Sequence, residues 1–329
     1  MPLSGSLSEK RTLVRAQKAL LEWYSRERRL LPWRETQDPY RIWVSEMMLQ
    51  QTRVAAVLEY YRRFLATFPD VFALAEAREA EVLAAWTGLG YYRRARAMHA
   101  AARKIVAELG GKFPSSTTAL AELPGIGRYT AAAVTSIAFA KPAAVVDGNV
   151  ERVLVRLLGK DLARRDEAWE VAEKLLPPKY PGDWNQAMME LGATLCLPVG
   201  AKCLLCPLRH WCADPGRQTR KDKPARNKRE LVFGLAERRG AVYLVQRKSD
   251  ARVMARMWEL PLSEENGSPI LRTRHSITNS DYAVTVFSIK TSEVSGGKWF
   301  SRKALAQLPV TGLTRKILRA ANLWPDGRI

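Results

Sequence analysis

Four cysteines packed into seventeen residues constrain this chain more than any other feature. Cys196, Cys203, Cys206 and Cys212 follow the spacing C-x6-C-x2-C-x5-C, and the 329 residues contain no other cysteine. A disulfide scaffold needs cysteines in several parts of a chain, so this cluster predicts a loop around a metal ion or an iron–sulfur cluster. Free thiolates of this kind are typical of a reducing compartment.

The charge balance points to a polyanionic partner. The chain has 53 Lys and Arg residues against 33 Asp and Glu, a formal net charge of +20. Such basicity favours nucleic acid as the ligand. A hydrophobic content of 47% suffices for a packed core. No run approaches eighteen apolar residues, and charges at 9–11 precede any apolar block, so we expect neither a transmembrane helix nor a signal peptide.

Helical periodicity dominates the first two hundred residues, and strand-like alternation is scarce there, which predicts an all-α domain. Its first helix runs from a capping box, Ser6-x-x-Glu9, to about Arg29. Further helical patterns cover 41–66, 78–86, 92–109, 116–122, 129–139, 148–158, 166–176 and 183–195.

The pattern changes after Cys212. Residues 214–230 hold seven Lys or Arg against three acids and no apolar periodicity, which predicts a basic linker. Strand-like runs follow at 231–237, 241–246 and 282–289, and then helical stretches near 302–307 and 313–321. We therefore predict an all-α domain over 1–213 with the cysteine loop at 196–212, the linker over 214–230, and an α+β domain over 231–329.

Two short motifs precede the cysteines. The segment L-P-G-I-G-R-Y-T at 123–130 places Gly125 and Gly127 directly before a helix, where a tight turn can aim free backbone N–H groups at a phosphate. An ordinary helix–helix corner is the alternative. The segment V-V-D-G-N-V at 145–150 puts Asp147 at the start of a helix, which by itself indicates only an N-cap.

The order of these motifs resembles the endonuclease III superfamily of base-excision glycosylases. Three further segments resemble its MutY-type adenine DNA glycosylases: L-P-W-R at 31–34, W-V-S-E-M-M-L-Q-Q-T at 43–52 and W-T-G-L-G-Y-Y at 86–92. The resemblance covers about residues 25–215 and continues more thinly beyond. It implies a multidomain protein, in which an all-α helix-hairpin-helix glycosylase domain with an Fe–S loop precedes an α+β, Nudix-like domain.

The resemblance also implies catalytic roles. Glu46 would be the general acid that protonates N7 of adenine, and its apolar neighbours predict a raised pKa. Asp147 would stabilise the oxocarbenium-like sugar, oriented with the ribose by Asn149 and Tyr129. Bifunctional relatives carry a lysine nucleophile at the position of Tyr129. A tyrosine cannot form a Schiff base, so the prediction is hydrolysis without committed strand cleavage.

DNA contacts follow from the same resemblance. Gln51 and Tyr91 match residues that enter the duplex when the target adenine leaves the stack. Trp33, Arg34 and Gln186 match positions of the adenine pocket. The predicted contacts to DNA are completed by Thr52, Leu89, Gly125 and Gly127.

The cysteines are implied to ligate a [4Fe–4S] cluster with a positional role. Structural zinc is the alternative, although zinc modules commonly use two close pairs and only Cys203 and Cys206 are close here.

In the C-terminal domain, M-W-E-L-P at 257–261 echoes the W-E-x-P segment of the Nudix fold. The acidic box that would bind Mg²⁺ is missing, so we expect binding without pyrophosphohydrolysis. Thr278 and Asn279 are the predicted lesion-reading residues. Ile277 stands where the family has an aromatic ring, so we expect weaker discrimination of 8-oxoguanine or discrimination by other contacts.

The sequence therefore predicts a monomeric, monofunctional glycosylase that removes adenine paired with 8-oxoguanine, and less well with guanine, from double-stranded DNA. We expect it inside the cell, in the cytoplasm with a bacterial nucleoid or in a eukaryotic nucleus. Two alternatives stay open: an endonuclease III-like glycosylase and lyase for oxidised pyrimidines, and a non-catalytic Fe–S protein that binds DNA.

Overall fold

The computed structural model describes residues 7–162, 164–218, 225–251, 253–277, 279–290, 294 and 296–325. The chain divides into two compact units, each made of two segments. One comprises Met1–Gln51 with Lys104–Asp222, and the other comprises Thr52–Arg103 with Lys223–Ile329. The predicted domains, in contrast, are continuous stretches of the chain with boundaries at 213 and 231. These boundaries stay a prediction.

The first two hundred described residues are helical, as predicted. The α-helices are α1 (Leu7–Glu27), α2 (Pro39–Leu49), α3 (Val54–Thr67), α4 (Val71–Glu76), α5 (Glu79–Ala85), α6 (Arg93–Leu109), α7 (Thr117–Ala121), α8 (Arg128–Phe139), α9 (Gly148–Leu158), α10 (Arg165–Leu175) and α11 (Pro181–Thr194). Helices α1, α2 and α7–α11 belong to the first unit.

One helix prediction was wrong, and one helix was missed. The pattern over 41–66 is two helices rather than one, because Gln51 adopts a positive φ of 58° between α2 and α3. The six-residue α4 was not predicted. The predicted capping residue Ser6 lies outside the described residues.

Helix α11 lies at the centre of the first unit and packs against α1, α8 and α9. The core between them contains Leu20, Leu154, Trp184 and Leu191, all nearly fully buried. Burying a side chain of this size contributes about 2 kcal/mol, so this core holds α11 and α9 in a fixed relation. The candidate site described below is built on these two helices and on α2 and α8.

The C-terminal part of the second unit is an α/β region with two sheets. Its elements are β1 (Asn227–Leu235), β2 (Glu237–Arg238), β3 (Ala241–Gln246), β4 (Trp258–Glu259), β5 (Leu271–Ile277), β6 (Ser280–Ser288), β7 (Gly297–Phe300), α12 (Arg302–Leu305) and α13 (Gly312–Ala320). One sheet has the order β1-β6-β5, with β1 parallel and β5 antiparallel to β6. In the other, β3 pairs with β2, β4 and β7.

The core of this region lies between the sheets and α13, around Val242, Leu244, Val286 and Ile317. Strand β3 and helix α13 were predicted closely. Strand β1 begins at Asn227, inside the predicted linker, because its first residues pair with β6 although they are exposed and charged. Strands β5 and β7 were missed, since the polar residues of β5 hide its alternation and β7 has only four residues. The Nudix-like assignment stays a prediction.

Among the described residues, no helix is both long and apolar enough to cross a membrane.

Candidate functional site

The first feature of the site is a carboxyl group inside a buried helix. Asp38 caps α2 by accepting a 2.9 Å hydrogen bond from the N–H of Tyr40, and Pro39 supplies the fixed φ of the first turn. Every residue from Ile42 to Met48 is buried. Glu46, only 5% exposed, therefore lies among apolar side chains, and its Oε2 has no hydrogen-bond partner among the described residues.

The surroundings of Glu46 make it a weak acid. Its pKa is raised to about 7: burial raises the pKa most, the hydrogen bond with Tyr129 lowers it, the charge of Asp147 raises it and that of Arg34 lowers it. Loss of hydration dominates because a carboxylate in an apolar site has little to replace its water shell. The sequence-based prediction of a raised pKa is in line with this environment. A carboxyl of this kind can hold a proton and release it near neutral pH.

The second carboxylate lies at the start of α9. Asp147 is the N-cap, and its Oδ1 accepts hydrogen bonds from the N–H groups of Asn149 at 2.9 Å and Val150 at 2.8 Å. Its Oδ2 accepts a 2.9 Å bond from Nδ2 of Asn149. Three donors and the positive end of the helix dipole hold this half-buried group in one orientation. The N-cap reading of Asp147 is thus correct, and it is compatible with a further role.

Tyr129 lies on the first turn of α8. Its hydroxyl interacts with the carboxyl of Glu46 and lies 3.2 Å from Sδ of Met189. Burial and the charges of Glu46 and Asp147 raise the pKa of Tyr129 well above its usual value, so the group is a neutral hydroxyl. The structure therefore brings Glu46, Asp147, Asn149 and Tyr129 together within one unit.

An ion cluster that the sequence reasoning missed holds Arg34. The carboxylate of Glu190, on α11 and 1% exposed, accepts bonds from Arg34 Nη2 at 2.8 Å and from Arg29 Nη2 at 2.6 Å and Nε at 2.7 Å. Burial would raise the pKa of Glu190, but these hydrogen bonds and the charge of Arg34 outweigh it and hold the pKa at about 2. Glu190 follows the predicted pocket residue Gln186 by one helical turn, and that spacing could have indicated it.

The two remaining pocket predictions are buried residues. Trp33 lies in a short 3₁₀ turn, Pro32–Arg34, before α2. Gln186 is nearly covered on α11.

Arg152 connects the Asp147 region with the cysteine loop. Its Nη2 donates to Asn149 Oδ1 at 2.8 Å and to the carbonyl of Gly192 at 2.7 Å, and its Nε donates to the carbonyl of Cys196 at 2.8 Å. The side chain thereby links α9, α11 and the start of the loop. No sequence motif indicated this residue.

The four predicted metal ligands line one cavity. Cys196, Cys203, Cys206 and Cys212 surround it, together with the buried Arg156, whose Nη1 lies 3.1 Å from Sγ of Cys196. Burial raises the pKa of the Cys206 thiol to about 11. No group of metal-binding side chains in the described part of the chain has the arrangement of a single-ion site. An all-sulfur donor set nevertheless fits an iron–sulfur group, since thiolates are its usual ligands.

The predicted phosphate-binding turn joins α7 and α8. Gly125 has φ +75°, a conformation that side chains with a Cβ seldom adopt. Gly127 is the N-cap of α8, and no side chain caps that end of the helix. The first N–H groups of α8 are therefore available to an anion.

The predicted duplex-entering residues divide between the two units. Gln51 is exposed at the end of the first segment of the first unit. In the second unit, Tyr91 is 48% exposed with φ 47°, whereas Leu89 is buried. Thr52 lies within 3.4 Å of Arg94 Nη2.

Of the two predicted lesion-reading residues, Asn279 is exposed beyond the end of β5, and its carbonyl accepts a hydrogen bond from the N–H of Asn227. Thr278 lies outside the described residues. The DNA-contacting roles of the duplex-entering and lesion-reading residues stay predictions.

Comparisons with known proteins bear on this arrangement. A family model described as "HhH-GPD superfamily base excision DNA repair protein" matches residues 44–178. A solved structure of a thermostable thymine-DNA glycosylase is 31% identical, with a TM-score of 0.59, and the match covers 63% of this chain and 97% of that chain. The chain therefore belongs to the HhH-GPD superfamily of base excision DNA repair proteins, as its motifs predicted.

Within that superfamily, the adenine DNA glycosylase of Rattus norvegicus is 47% identical over 207 residues, which is 59% of this chain and 40% of that protein. The adenine DNA glycosylase of Buchnera aphidicola subsp. Acyrthosiphon pisum is 38% identical over 199 residues, which is 59% of this chain and 57% of that protein. The chain thus spans well under two thirds of each of these relatives.

Proposed function

We propose that the protein is a monofunctional adenine DNA glycosylase acting on adenine opposite 8-oxoguanine, and less well opposite guanine, in duplex DNA. One observation carries the proposal: a buried, protonatable Glu46 shares one site with the firmly oriented carboxylate of Asp147. An acid for the leaving group and a negative charge for a sugar cation are the two needs of glycosidic cleavage. The relatives named adenine DNA glycosylase support adenine as the leaving base.

The reaction would proceed as follows. Glu46 donates its proton to N7 of adenine, and the bond from N9 to C1′ breaks with its electron pair going to the base. The negative charge of Asp147 stabilises the resulting oxocarbenium-like sugar. This attraction is strong because the site is partly shielded from water. The Glu46 carboxylate then takes a proton from a water that attacks C1′, which yields free adenine and an abasic site and restores the acid.

Tyr129 and Asn149 would keep this geometry without entering covalent chemistry. Asn149 Nδ2 holds Oδ2 of Asp147, and the hydroxyl of Tyr129 interacts with Glu46. A neutral tyrosine provides no amine for a Schiff base, so hydrolysis is the expected outcome. Arg34, held by Glu190, together with Trp33 and Gln186, would line the pocket of the extruded base.

DNA would be held in four ways. The exposed N–H groups at Gly127 and the start of α8 would bind the phosphate backbone. Gln51 and Tyr91 would fill the space left by the flipped nucleotide, and Leu89 and Thr52 would support that contact. Thr278 and Asn279 in the α/β region would contact the opposite base. The net charge of +20 adds attraction that is independent of sequence.

We further propose that Cys196, Cys203, Cys206 and Cys212 hold a [4Fe–4S] cluster. When bound, the cluster would crosslink the loop and present Lys202 and Arg209 to DNA. The residues of the acid–base chemistry described above do not depend on it for any proton transfer.

The test is single-turnover excision from duplexes with adenine opposite 8-oxoguanine, guanine or thymine. We expect release in that order of rate, strongly reduced release from Glu46→Gln, and wild-type rates from the control Glu27→Gln, an exposed carboxylate on α1. A strong covalent complex trapped by borohydride on an oxidised-pyrimidine duplex would indicate the lyase alternative. DNA binding without any base release would indicate a non-catalytic protein.

A further inference from the structure

The loop between α5 and α6, residues 86–92, is held from the far end of the chain. Nη1 of Arg315, on α13, donates a 2.8 Å hydrogen bond to the carbonyl of Thr87, and its Nη2 donates a 3.1 Å bond to Oη of Tyr60 on α3. All of these residues belong to the second compact unit. One guanidinium of the α/β region thus joins two parts of the helical segment.

The backbone at Gly88 is shaped around this contact. Gly88 has φ +113°, which residues with a Cβ rarely adopt, and a Cβ at this position would overlap both Tyr60 Oη and the guanidinium of Arg315. The N–H of Gly88 also lies 3.4 Å from the hydroxyl of Tyr92. The glycine therefore leaves the space that the arginine fills, and the two residues form a single arrangement.

The rest of the loop is fixed by neighbouring side chains. Trp86 Nε1 donates a 3.0 Å bond to the carbonyl of Gly90, and the guanidinium of Arg94 lies over the rings of both Trp86 and Tyr91, 5.4 Å from each centroid. Tyr91 is held in a left-handed conformation and remains half exposed. Movement of the backbone at Thr87 and Gly88 would therefore be passed to Tyr91 through a short, tightly constrained segment.

We infer that Arg315 is a positioning residue for Tyr91, through which the α/β region sets the loop that enters DNA. The inference rests on the proposed function for the role of Tyr91, but the coupling itself concerns only contacts inside the protein. Arginine suits this task because its planar group can donate to two acceptors in fixed directions, which lysine cannot reproduce. Loss of the α/β region's contact would then weaken base extrusion even with Glu46 and Asp147 intact.

The coupling can be tested without DNA. Hydrogen exchange of the 86–92 amides should be faster in Arg315→Ala than in wild type, and Tyr60→Phe, which removes one acceptor but keeps the ring, should give a smaller change in the same amides. Arg319→Ala is the matched control, since Arg319 is an exposed arginine of the same helix. Unchanged exchange in Arg315→Ala, or an equal change in Arg319→Ala, would overturn the inference.

The consequence for DNA is tested by unstacking. In a Glu46→Gln background, which binds without excising, 2-aminopurine next to the mispaired adenine reports the opening of the duplex. Arg315→Ala should reduce the fluorescence rise at saturating protein, Arg315→Lys should restore little of it, and Arg319→Ala should match the parent. With Glu46 present, single-turnover excision should fall about tenfold in Arg315→Ala, in line with the loss of hydrogen bonds made by a charged group.

These outcomes separate the inference from the proposed function. Wild-type protein without excision would sink the glycosylase proposal and leave the exchange result intact. Faster loop exchange combined with normal unstacking and excision would make Arg315 a structural residue and nothing more. If Arg315→Ala melts at a much lower temperature than wild type, hydrogen exchange and unstacking are both measured on Tyr60→Phe instead. Normal exchange of the 86–92 amides in Tyr60→Phe would then contradict the coupling.

Discussion

Two glutamates buried in the same unit have opposite acid strengths. Glu46 on α2 is 5% exposed, with one oxygen lacking any partner among the described residues, and its pKa rises to about 7. Glu190 on α11 is 1% exposed but accepts four hydrogen bonds from Arg29 and Arg34, and its pKa falls to about 2. Burial alone does not decide whether a carboxyl is charged; the supply of donors does.

The difference gives each glutamate a different task. Glu46 can carry a proton at neutral pH, which suits an acid catalyst. Glu190 cannot, and instead it holds two arginines as a permanent anion. The proposed mechanism needs both, because Arg34 contributes to the electrostatics of Glu46 and is itself held by Glu190.

The largest effect is expected from Glu46→Gln. Glutamine keeps the size of the side chain but cannot donate a proton to the leaving base, and general acid catalysis commonly contributes about 10²- to 10⁴-fold. Single-turnover excision should fall by that factor while duplex affinity stays near wild type. An excision rate of Glu46→Gln within tenfold of wild type would show that Glu46 is not the general acid. The two glutamates would then no longer differ in function in the way proposed.

The second effect concerns Glu190→Gln. This change leaves the guanidinium of the buried Arg34 without its counter-charge, and breaking such a pair costs several kcal/mol. Because Arg29 is partly exposed and can regain water, we expect the free energy of unfolding to fall by about 3 kcal/mol at pH 7, the lower end of the usual cost of breaking a buried pair. Urea denaturation measures it, with Glu46→Gln as the comparison that should not lose stability. Equal stabilities of wild type and Glu190→Gln would show that the ion cluster is not a structural anchor.

The third effect is the pH dependence of stability, which has opposite signs at the two sites. Because the folded pKa of Glu46 is raised, its contribution is fully present below pH 4.5 and is lost as pH rises toward 7. The folded pKa of Glu190 is lowered, so its contribution is present above pH 4.5 and is lost as pH falls toward 2. For Glu46, the difference between the ordinary pKa of 4.5 and the folded pKa of about 7 corresponds to ~3 kcal/mol in the free energy of unfolding.

Denaturation at pH 5 and pH 8 checks the sign for Glu46. Glu46→Gln should gain stability relative to wild type between these pH values, whereas Glu190→Gln should show no such gain. A relative gain of Glu46→Gln at pH 5 instead of pH 8 would contradict the raised pKa.

The smallest effect is expected from Tyr129→Phe. The hydrogen bond with Tyr129 lowers the pKa of Glu46, so its removal should raise that pKa. The excision rate of wild type should decline as pH rises past about 7, and in Tyr129→Phe this decline should move to higher pH. Rates measured at protein concentrations below the Kd report the free enzyme. A shift to lower pH would show that the hydroxyl stabilises the neutral acid rather than the carboxylate.

Several features of the fold were predictable because they depend on local sequence. Helices α5 to α11 follow periodic apolar residues and were located within a few positions. The turn at Gly125 was predicted from its two glycines, and its positive φ agrees. Strands β5 and β7 were not predicted, because the residues of β5 are largely polar and the four residues of β7 pair with β3, which lies far earlier in the chain.

The site divides in the same way. The motif around Asp147 indicated an N-cap, and the structure shows it, since the donors are two and three residues further along the chain. Glu190 was missed because its partners lie 161 and 156 residues away. Arg315 contacts Thr87 across 228 residues, and nothing in either local segment indicates the other.

The sequence by itself therefore determined the chemistry that the chain can carry: four clustered thiols, a turn before α8, two candidate carboxylates and a strongly basic surface. The apolar neighbours of Glu46 already predicted its raised pKa, but only the tertiary structure decided that the equally buried Glu190 is a permanent anion. The physical reason is that a pKa measures the loss of water and the donors that replace it. Those donors come from segments that folding alone brings together.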